Sequence, residues 1–319
     1  MVIVGGGMAG LSAALVLGRA RRTVAVVDAG RPRNRYAAHA HGFPTRDGAR
    51  PGELLEAIRA EVRGYGVELI EGTAAGVADG LRVELADGRG LRARHLILAC
   101  GLQDVLPDLA GAAECWGRGL FQCPYCHGWE VRDRRLGVLG TSEASVEQAL
   151  LVRQWSGQVT FFPDTQAVPA AADAARLRAR GIRTVPGKVQ RLVTGGSGLS
   201  GVEVDGAGVV PCDALFLEPG STVSGDVTAG LDCTCAEDGC LTTDALGRTS
   251  VERVWAVGNA ADPAAQLVSA AGDAYRLAVS VNAELVREDV DAALRRMPPD
   301  HLGQGLEPAA GRGPAGSPS

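Results

Sequence analysis

Three glycines at a fixed spacing, Gly5-x-Gly7-x-x-Gly10, stand between a short apolar run (residues 2–4) and an Ala- and Leu-rich helical stretch (residues 11–19). Few architectures tolerate such a turn. Gly5 allows the tight reversal, Gly7 lets the backbone approach a pyrophosphate, and Gly10 lets helix and strand pack closely. The helix start then offers free N–H groups and about half a positive charge to phosphates. A β-branched strand follows at residues 23–27 and ends at Asp28. A carboxylate there can accept hydrogen bonds from a ribose diol. Strand, turn, helix, strand and acid together predict a dinucleotide site, without separating FAD from NAD.

The rest of the chain repeats this logic. A helix is expected at 51–63, antiparallel hairpins over 67–94 around Asp79-Gly80 and Asp87-Gly88, and a buried strand at 96–99 ending at Gly101. A second strand–helix–strand cycle runs through 136–139, 143–155 and 158–162. Another helix (170–179) and strand (182–185) follow, then hairpin-like stretches to 213–217 and the Asp238-Gly239 turn. A last strand (253–257) ends at Gly258, and a long helix spans about 266–287. Beyond Met297 the chain is mostly Pro, Gly, Ala and Ser, so the tail is expected to be disordered. Two βαβ modules in 319 residues imply an α/β chain of two Rossmann-like domains with parallel sheets.

Composition removes several function classes. A net charge of −5 and a pI near 5.6 leave no basic footprint for nucleic acid. No run of about 18 apolar residues is available to span a membrane. The chain opens directly on its first strand, so a cytoplasmic location is expected. Eight cysteines are too sparse for a disulfide scaffold, so in a reducing compartment a close pair points to catalysis or metal.

That pair is Cys123-Pro124-Tyr125-Cys126-His127, between the two βαβ modules. The spacing lets both sulfurs close one tight ring, and a basic neighbour lowers a thiol pKa. Zinc would need two further ligands from Cys233, Cys235 and Cys240, of which the last two straddle the Asp238-Gly239 turn. No metal site is expected. A redox-active disulfide is the favoured reading, with two unreactive thiols as the alternative. A glutaredoxin would carry such a tetrad just after its first strand, whereas here a complete nucleotide module precedes it.

In this arrangement the chain, over residues 1 to about 290, resembles the low-molecular-weight thioredoxin reductase family. The resemblance implies an FAD domain in two pieces, 1–113 and 246–296, around an inserted pyridine-nucleotide-type domain, 114–245, with a tail at 297–319. It also implies a homodimer. Gly5, Gly7, Met8, Ala9, Gly10 and Asp28 would hold the FAD pyrophosphate and ribose. The Ala99-Cys100-Gly101 turn and Gly258-Asn259 would flank the cofactor, with Asn259 in place of the family's Asp. Gln266 and Leu267 would lie by the flavin ring.

Three departures bear on function. The second glycine turn reads Gly140-Thr141-Ser142-Glu143-Ala144-Ser145, with Ser142 where close pyrophosphate approach is needed and a carboxylate beside it. After the strand at 158–162 comes Pro163-Asp164-Thr165-Gln166, without a basic residue for the 2′-phosphate of NADPH. Asp164 could still meet the ribose diol of NADH. Finally, His127 stands where thioredoxin reductases carry Asp. The Cys-Pro-Tyr-Cys-His-Gly-Trp-Glu motif, with Arg33-Asn34 and His39-Ala40-His41-Gly42, looks like the branch of FAD-dependent dithiol oxidases. These close disulfides in holomycin-, gliotoxin- and romidepsin-type metabolites and pass electrons to oxygen. The implied partners are thus a small-molecule dithiol and molecular oxygen. Cys123 would be attacked by substrate, Cys126 would face the flavin, and His127 would be the base. Arg33, Asn34 and His41 are assigned to the cofactor side, with His41 open to either the flavin or the base. Trp116, Phe121, Tyr125 and Trp129 could wall an apolar substrate pocket, or pack between domains. His95 and His301 are expected at the surface. An NAD(P)H-fed disulfide reductase and a non-turning-over redox sensor are the alternatives.

Overall fold

The computed structural model describes residues 1–164, 169–196, 198–223, 226–228 and 230–298. The tail expected to be disordered lies outside these from residue 299 on, as do His301, Thr165 and Gln166.

The chain begins with β1 (Val2–Val4), α1 (Met8–Arg19) and β2 (Ala25–Asp28), followed by α2 (Pro51–Gly64) and β3 (Glu68–Glu71). Pro51 opens α2 at a position where a missing N–H costs nothing. An antiparallel meander, β4 (Ala74–Ala78), β5 (Arg82–Leu85) and β6 (Gly90–Arg92), reverses at the two Asp-Gly turns. β7 (Leu96–Leu98), β8 (Leu102–Val105), α3 (Ala112–Cys115), β9 (Leu120–Phe121) and α4 (Pro124–His127) lead into the second module. That module is β10 (Leu136–Leu139), α5 (Ser145–Val152), β11 (Val159–Phe162), α6 (Ala171–Ala179) and β12 (Arg183–Thr184). A second meander, β13 (Val189–Gly195), β14 (Gly198–Val204) and β15 (Gly208–Pro211), precedes β16 (Ala214–Phe216) and β17 (Gly220–Val223). β18 (Val254–Ala256) and the 30-residue α7 (Leu267–Arg296) close the fold.

Two five-stranded parallel sheets result, in the orders β18-β7-β1-β2-β3 and β12-β11-β10-β16-β9. The α/β architecture of two Rossmann-like units is thus observed. β8 and β17 pair antiparallel and carry the two crossings between them. In the first sheet, alternation sends Ile3 to one face and Val2 and Val4 to the other. Ile3 packs with Leu11, Leu17, Leu277 and Val281 of α1 and α7. Val2 and Val4 pack with Leu96, Leu98 and Val254 and with the first meander's Val77 and Val83. Each such side chain, fully buried, contributes about 1.5–3 kcal/mol. Val227 and Leu241 join this second cluster, so the chain returns to the first domain's core before residue 246, earlier than expected.

Three further details differ from expectation. β3, expected within a hairpin, is an edge strand parallel to β2. α7 runs nine residues past 287, held there by Glu288 and Asp289 on Arg94 and by Asp289 on Arg22. His95 is fully buried rather than exposed. Its Nδ1 accepts the Trp255 Nε1–H (3.2 Å) and its Nε2 lies 2.8 Å from Glu288 Oε1. Because indole only donates, Nε2 carries the proton and donates to Glu288.

Candidate active site

The first glycine turn is built by close approach. Gly5 takes φ +110°, and a Cβ there would meet the Ala99 carbonyl; one on Gly10 would meet the Gly5 carbonyl. Gly258 (φ +67°) abuts Ala9, where a Cβ would come within 2.8 Å of the Ala9 methyl. Gly101 also has positive φ (+70°), and the intervening Cys100 thiol is pushed up to about 11 by burial. Gly7 differs: nothing lies within 4 Å of a Cβ placed on it, and no side chain caps the start of α1 that it precedes. The turn therefore presents Gly7 toward open space at a helix N-terminus, with Met8 and Ala9 buried behind it.

Gly6, which sequence reasoning passed over, is also required. A Cβ on it would lie 2.7 Å or less from the Asp28 carboxyl and Cβ atoms. Asp28 closes β2 beneath the turn, its Oδ1 accepting the Gly30 N–H (3.0 Å) and its Oδ2 bonded by Arg59 (2.7 Å). Arg59 is a partner no local motif announces.

Arg33 and Asn34 sit in a short 3-10 turn, Arg33–Tyr36. Arg33 makes a forked pair with Asp104 of β8 (Nη2 to Oδ1, 2.6 Å), and it also donates to Gln122 and to the Pro263 carbonyl. It thus ties the first domain to the residue preceding the Cys pair, and its charge is already matched by Asp104. Asn259 donates its Nδ2 to the carbonyls of Asp262, Pro263 and Ala265 (3.0–3.2 Å), shaping the loop that leads to Gln266. A carboxylate would meet three carbonyls there, which explains an amide at this position.

Cys123 and Cys126 form a disulfide across α4, with Cα atoms 5.3 Å apart. Cys123 is the N-cap, its Sγ accepting the Cys126 N–H at 3.1 Å. Both sulfurs rest on Gln266: Nε2 lies 3.6 Å from Cys123 Sγ and Oε1 3.3 Å from Cys126 Sγ. Gln266 is the N-cap of α7, in a capping box with Ser269, and Leu267 begins the helix. The disulfide therefore lies at the α7 N-terminus, on the first domain. The turn that carries it depends on Gly128, where a Cβ would strike the Pro124 carbonyl and the Trp155 ring.

His127 stacks on Phe121, with ring centroids 4.4 Å apart. Both its ring nitrogens are buried and neither has a partner of hydrogen-bonding geometry. Burial holds its pKa below the ordinary histidine value, although the Cys123 carbonyl and Glu130 pull the other way. His41 lies between Asp47 (Nδ1 to Oδ2) and Glu130 (Nε2 to Oε1), each at 3.4 Å. It thus links a first-domain loop to the turn after α4. Of the four aromatics, Phe121 is core and Trp116 packs against a hydrophobic cluster. Tyr125 and Trp129 are open, 72% and 64% exposed, Tyr125 edge-on to Trp155 and Trp129 under the Arg132 guanidinium. Among the described residues no group of three or more His, Cys, Asp or Glu is arranged to hold a metal.

The second glycine turn is filled by the protein itself. Ser145 Oγ accepts the N–H groups of both Thr141 and Ser142 (3.1 Å each). Thr141 Oγ1 donates to the Glu218 carbonyl and Ser142 Oγ to the Glu218 carboxylate, both at 2.8 Å. Asp164, which could have met a ribose diol, instead accepts the Val189 N–H (2.7 Å).

A family model described as pyridine nucleotide-disulphide oxidoreductase matches residues 1–274. The chain belongs to this family. It is an oxidoreductase acting on thiols and disulfides. It is 31% identical over 313 residues to thioredoxin reductase sirT of Leptosphaeria maculans, covering 91% of this chain and 95% of that protein. Thioredoxin reductase tcpT of Claviceps purpurea is 34% identical, covering 72% of this chain and 71% of that one. Among solved structures, the crystal structure of HlmI superposes with a TM-score of 0.87 at 45% identity, covering 92% of this chain and 94% of HlmI.

Proposed function

We propose that this chain is an FAD-dependent dithiol oxidase that closes an intramolecular disulfide in a small-molecule dithiol, with oxygen as the final electron acceptor. The observation that carries the reading is the Cys123–Cys126 disulfide resting on Gln266 at the start of α7, the helix whose Ala270 lies by Gly258, which in turn abuts Ala9 of α1. The relatives sirT and tcpT and the structure of HlmI support the same reading.

The first turn fits FAD. Gly7 leaves room for a pyrophosphate, the uncapped start of α1 offers N–H donors, and Asp28 keeps lone pairs for a ribose diol. By the family likeness, Met8, Ala9, Gly10, Ala99, Gly101, Gly258 and Asn259 would frame the same space, with Arg33, Asn34 and His41 toward its rim. When bound, FAD supplies two-electron oxidation of the reduced Cys pair and delivery to oxygen.

The protein's own residues handle the thiol chemistry. A substrate thiol is deprotonated, with His127 as the assigned base, its ring kept neutral by burial although both ring nitrogens lie beneath the surface. The resulting thiolate attacks Cys123 Sγ, the Cys123–Cys126 bond breaks, and Cys126 leaves as thiolate. The second substrate thiolate attacks the substrate sulfur of the mixed disulfide. That closes the product ring and releases Cys123, so two electrons now reside on the enzyme dithiol. The Cys126 N–H favours charge on Cys123 as it leaves. Tyr125, within the Cys-x-x-Cys turn, and Trp129, three residues after it, are exposed and offer apolar faces to a ring-bearing dithiol. Oxygen uptake with a panel of small dithiols and no nicotinamide tests the reading. Uptake with peroxide formation that vanishes in Cys123→Ser and Cys126→Ser supports it. No uptake with any dithiol, but turnover with NADH and a disulfide, refutes it.

A further inference from the structure

We infer that Ser145 and Glu218 bar a dinucleotide from the second glycine turn and so act as the residues that exclude pyridine nucleotides from this protein. The inference rests on the dithiol-oxidase reading for its purpose but on separate geometry for its content. In the second sheet the chain passes from β10 outward through β11 to β12, then returns to the other side of β10 with β16. The crevice beyond the C-terminal ends of β10 and β16 is therefore the switch point where an open α/β sheet binds its ligand. Ser142 and Glu218 face each other across that crevice, one after each strand.

A pyrophosphate bound here would need the N–H groups of the turn that leads into α5. Two of them, on Thr141 and Ser142, already donate to the Ser145 hydroxyl oxygen. With two lone pairs, that oxygen satisfies both donors as a phosphate oxygen would. Ser145 is fully buried, so this arrangement is fixed within the fold and not a feature of the surface. Across the crevice, the Glu218 carboxylate holds the Ser142 hydroxyl and its main-chain carbonyl holds Thr141. A diphosphate would lose both donors to Ser145 and would also face a carboxylate on Glu218, with Glu143 exposed nearby. The first turn shows the opposite state: no side chain caps α1, and Gly7 has open space. The chain thus carries one open and one self-occupied dinucleotide turn.

The test measures binding, independent of turnover. ADP-ribose and NADH are titrated by calorimetry into the flavin-loaded wild type, Glu218→Gln, Ser145→Ala and the double variant. The wild type is expected to show no saturation at millimolar ligand. The double variant is expected to bind ADP-ribose at least about tenfold tighter, a gain of about 1.4 kcal/mol, and to show faster anaerobic flavin bleaching by NADH. Glu218→Gln, an exposed and near-isosteric change, is the variant that keeps its fold, and alone it is expected to shift affinity about threefold. Dithiol-driven oxygen uptake should be unchanged in all variants. Micromolar ADP-ribose binding by the wild type, or a folded double variant with wild-type affinity, overturns the inference. Loss of dithiol oxidation in the wild type would instead overturn the proposed function and leave the binding result standing.

Discussion

Gly7→Ala and Gly10→Ala differ by one methyl group each, three residues apart on one turn, and the structure assigns them opposite consequences. A Cβ on Gly10 would sit against the Gly5 carbonyl, far inside contact distance, and 3.2 Å from the Ala99 methyl. Neither neighbour is a flexible side chain, so α1 must move away from β1. Overpacking of this kind costs about 1–3 kcal/mol. At roughly 2–4 °C per kcal/mol for a chain of this size, the flavin-free protein should melt about 2–12 °C lower. A Cβ on Gly7 meets nothing within 4 Å, and its φ of −80° and ψ of −172° are open to alanine. Its effect on the flavin-free protein should be within about 0.5 kcal/mol, since lost unfolded-state freedom offsets the weaker N-cap. That methyl would, however, stand where the pyrophosphate approaches. Two measurements on each variant separate the effects: the melting temperature after flavin removal, and the 450 to 280 nm absorbance ratio after incubation with excess FAD. Gly7→Ala should keep its melting temperature and lose flavin; Gly10→Ala should lose both. A Gly7→Ala protein with full flavin content would refute the placement of the pyrophosphate at this turn.

Three other outcomes are expected. Gln266→Ala removes the contact on both sulfurs and half of the α7 capping box, so stability should fall by about 0.5–2 kcal/mol in chemical denaturation; dithiol-driven bleaching in stopped flow should slow while flavin content is kept. Arg33→Met alone leaves Asp104, only 10% exposed, without its partner and should cost about 3–5 kcal/mol. Arg33→Met with Asp104→Leu should recover most of that loss, and a double variant as unstable as the single would assign Arg33 a larger role than pairing. For His127 the lowered pKa means the unfolded chain binds a proton that the folded chain refuses. Stability should therefore fall as pH drops from about 6.5 toward the lower folded value. His127→Gln should flatten that segment of the denaturation profile, and the acid limb of the wild-type reductive rate should lie below pH 6.5.

What could be read from the sequence was local. The turn at Gly5, Gly7 and Gly10, the acid after β2 and the Cys-x-x-Cys spacing are set by a few neighbouring residues, so their geometry follows from type and spacing. The contacts that complete the site are not local. Gln266 meets cysteines some 140 residues earlier in the chain, and Arg59 reaches Asp28 from another element. Glu218 closes a turn it follows by 76 residues. Gly6 is needed because of where Asp28 lies, not because of the motif. His95 is buried only because Trp255 and Glu288 converge on it. Arg33, assigned to the cofactor side from its motif, is committed to Asp104 and Gln122. Ser145 shows the limit most directly, since a serine at a helix start is ordinary until its hydroxyl is found holding two backbone N–H groups of the nucleotide turn.

In the proposed cycle, electrons enter through Cys123 and Cys126 from a dithiol and leave to oxygen. Anaerobic absorbance spectroscopy of the purified flavoprotein tests it most directly, with a small dithiol, NADH and NADPH added in separate cuvettes before air is admitted. Bleaching of the flavin by the dithiol alone is expected, with full recovery and peroxide formation on exposure to air. Rapid bleaching by either nicotinamide, with none by dithiols, would contradict it and make the protein a reductase.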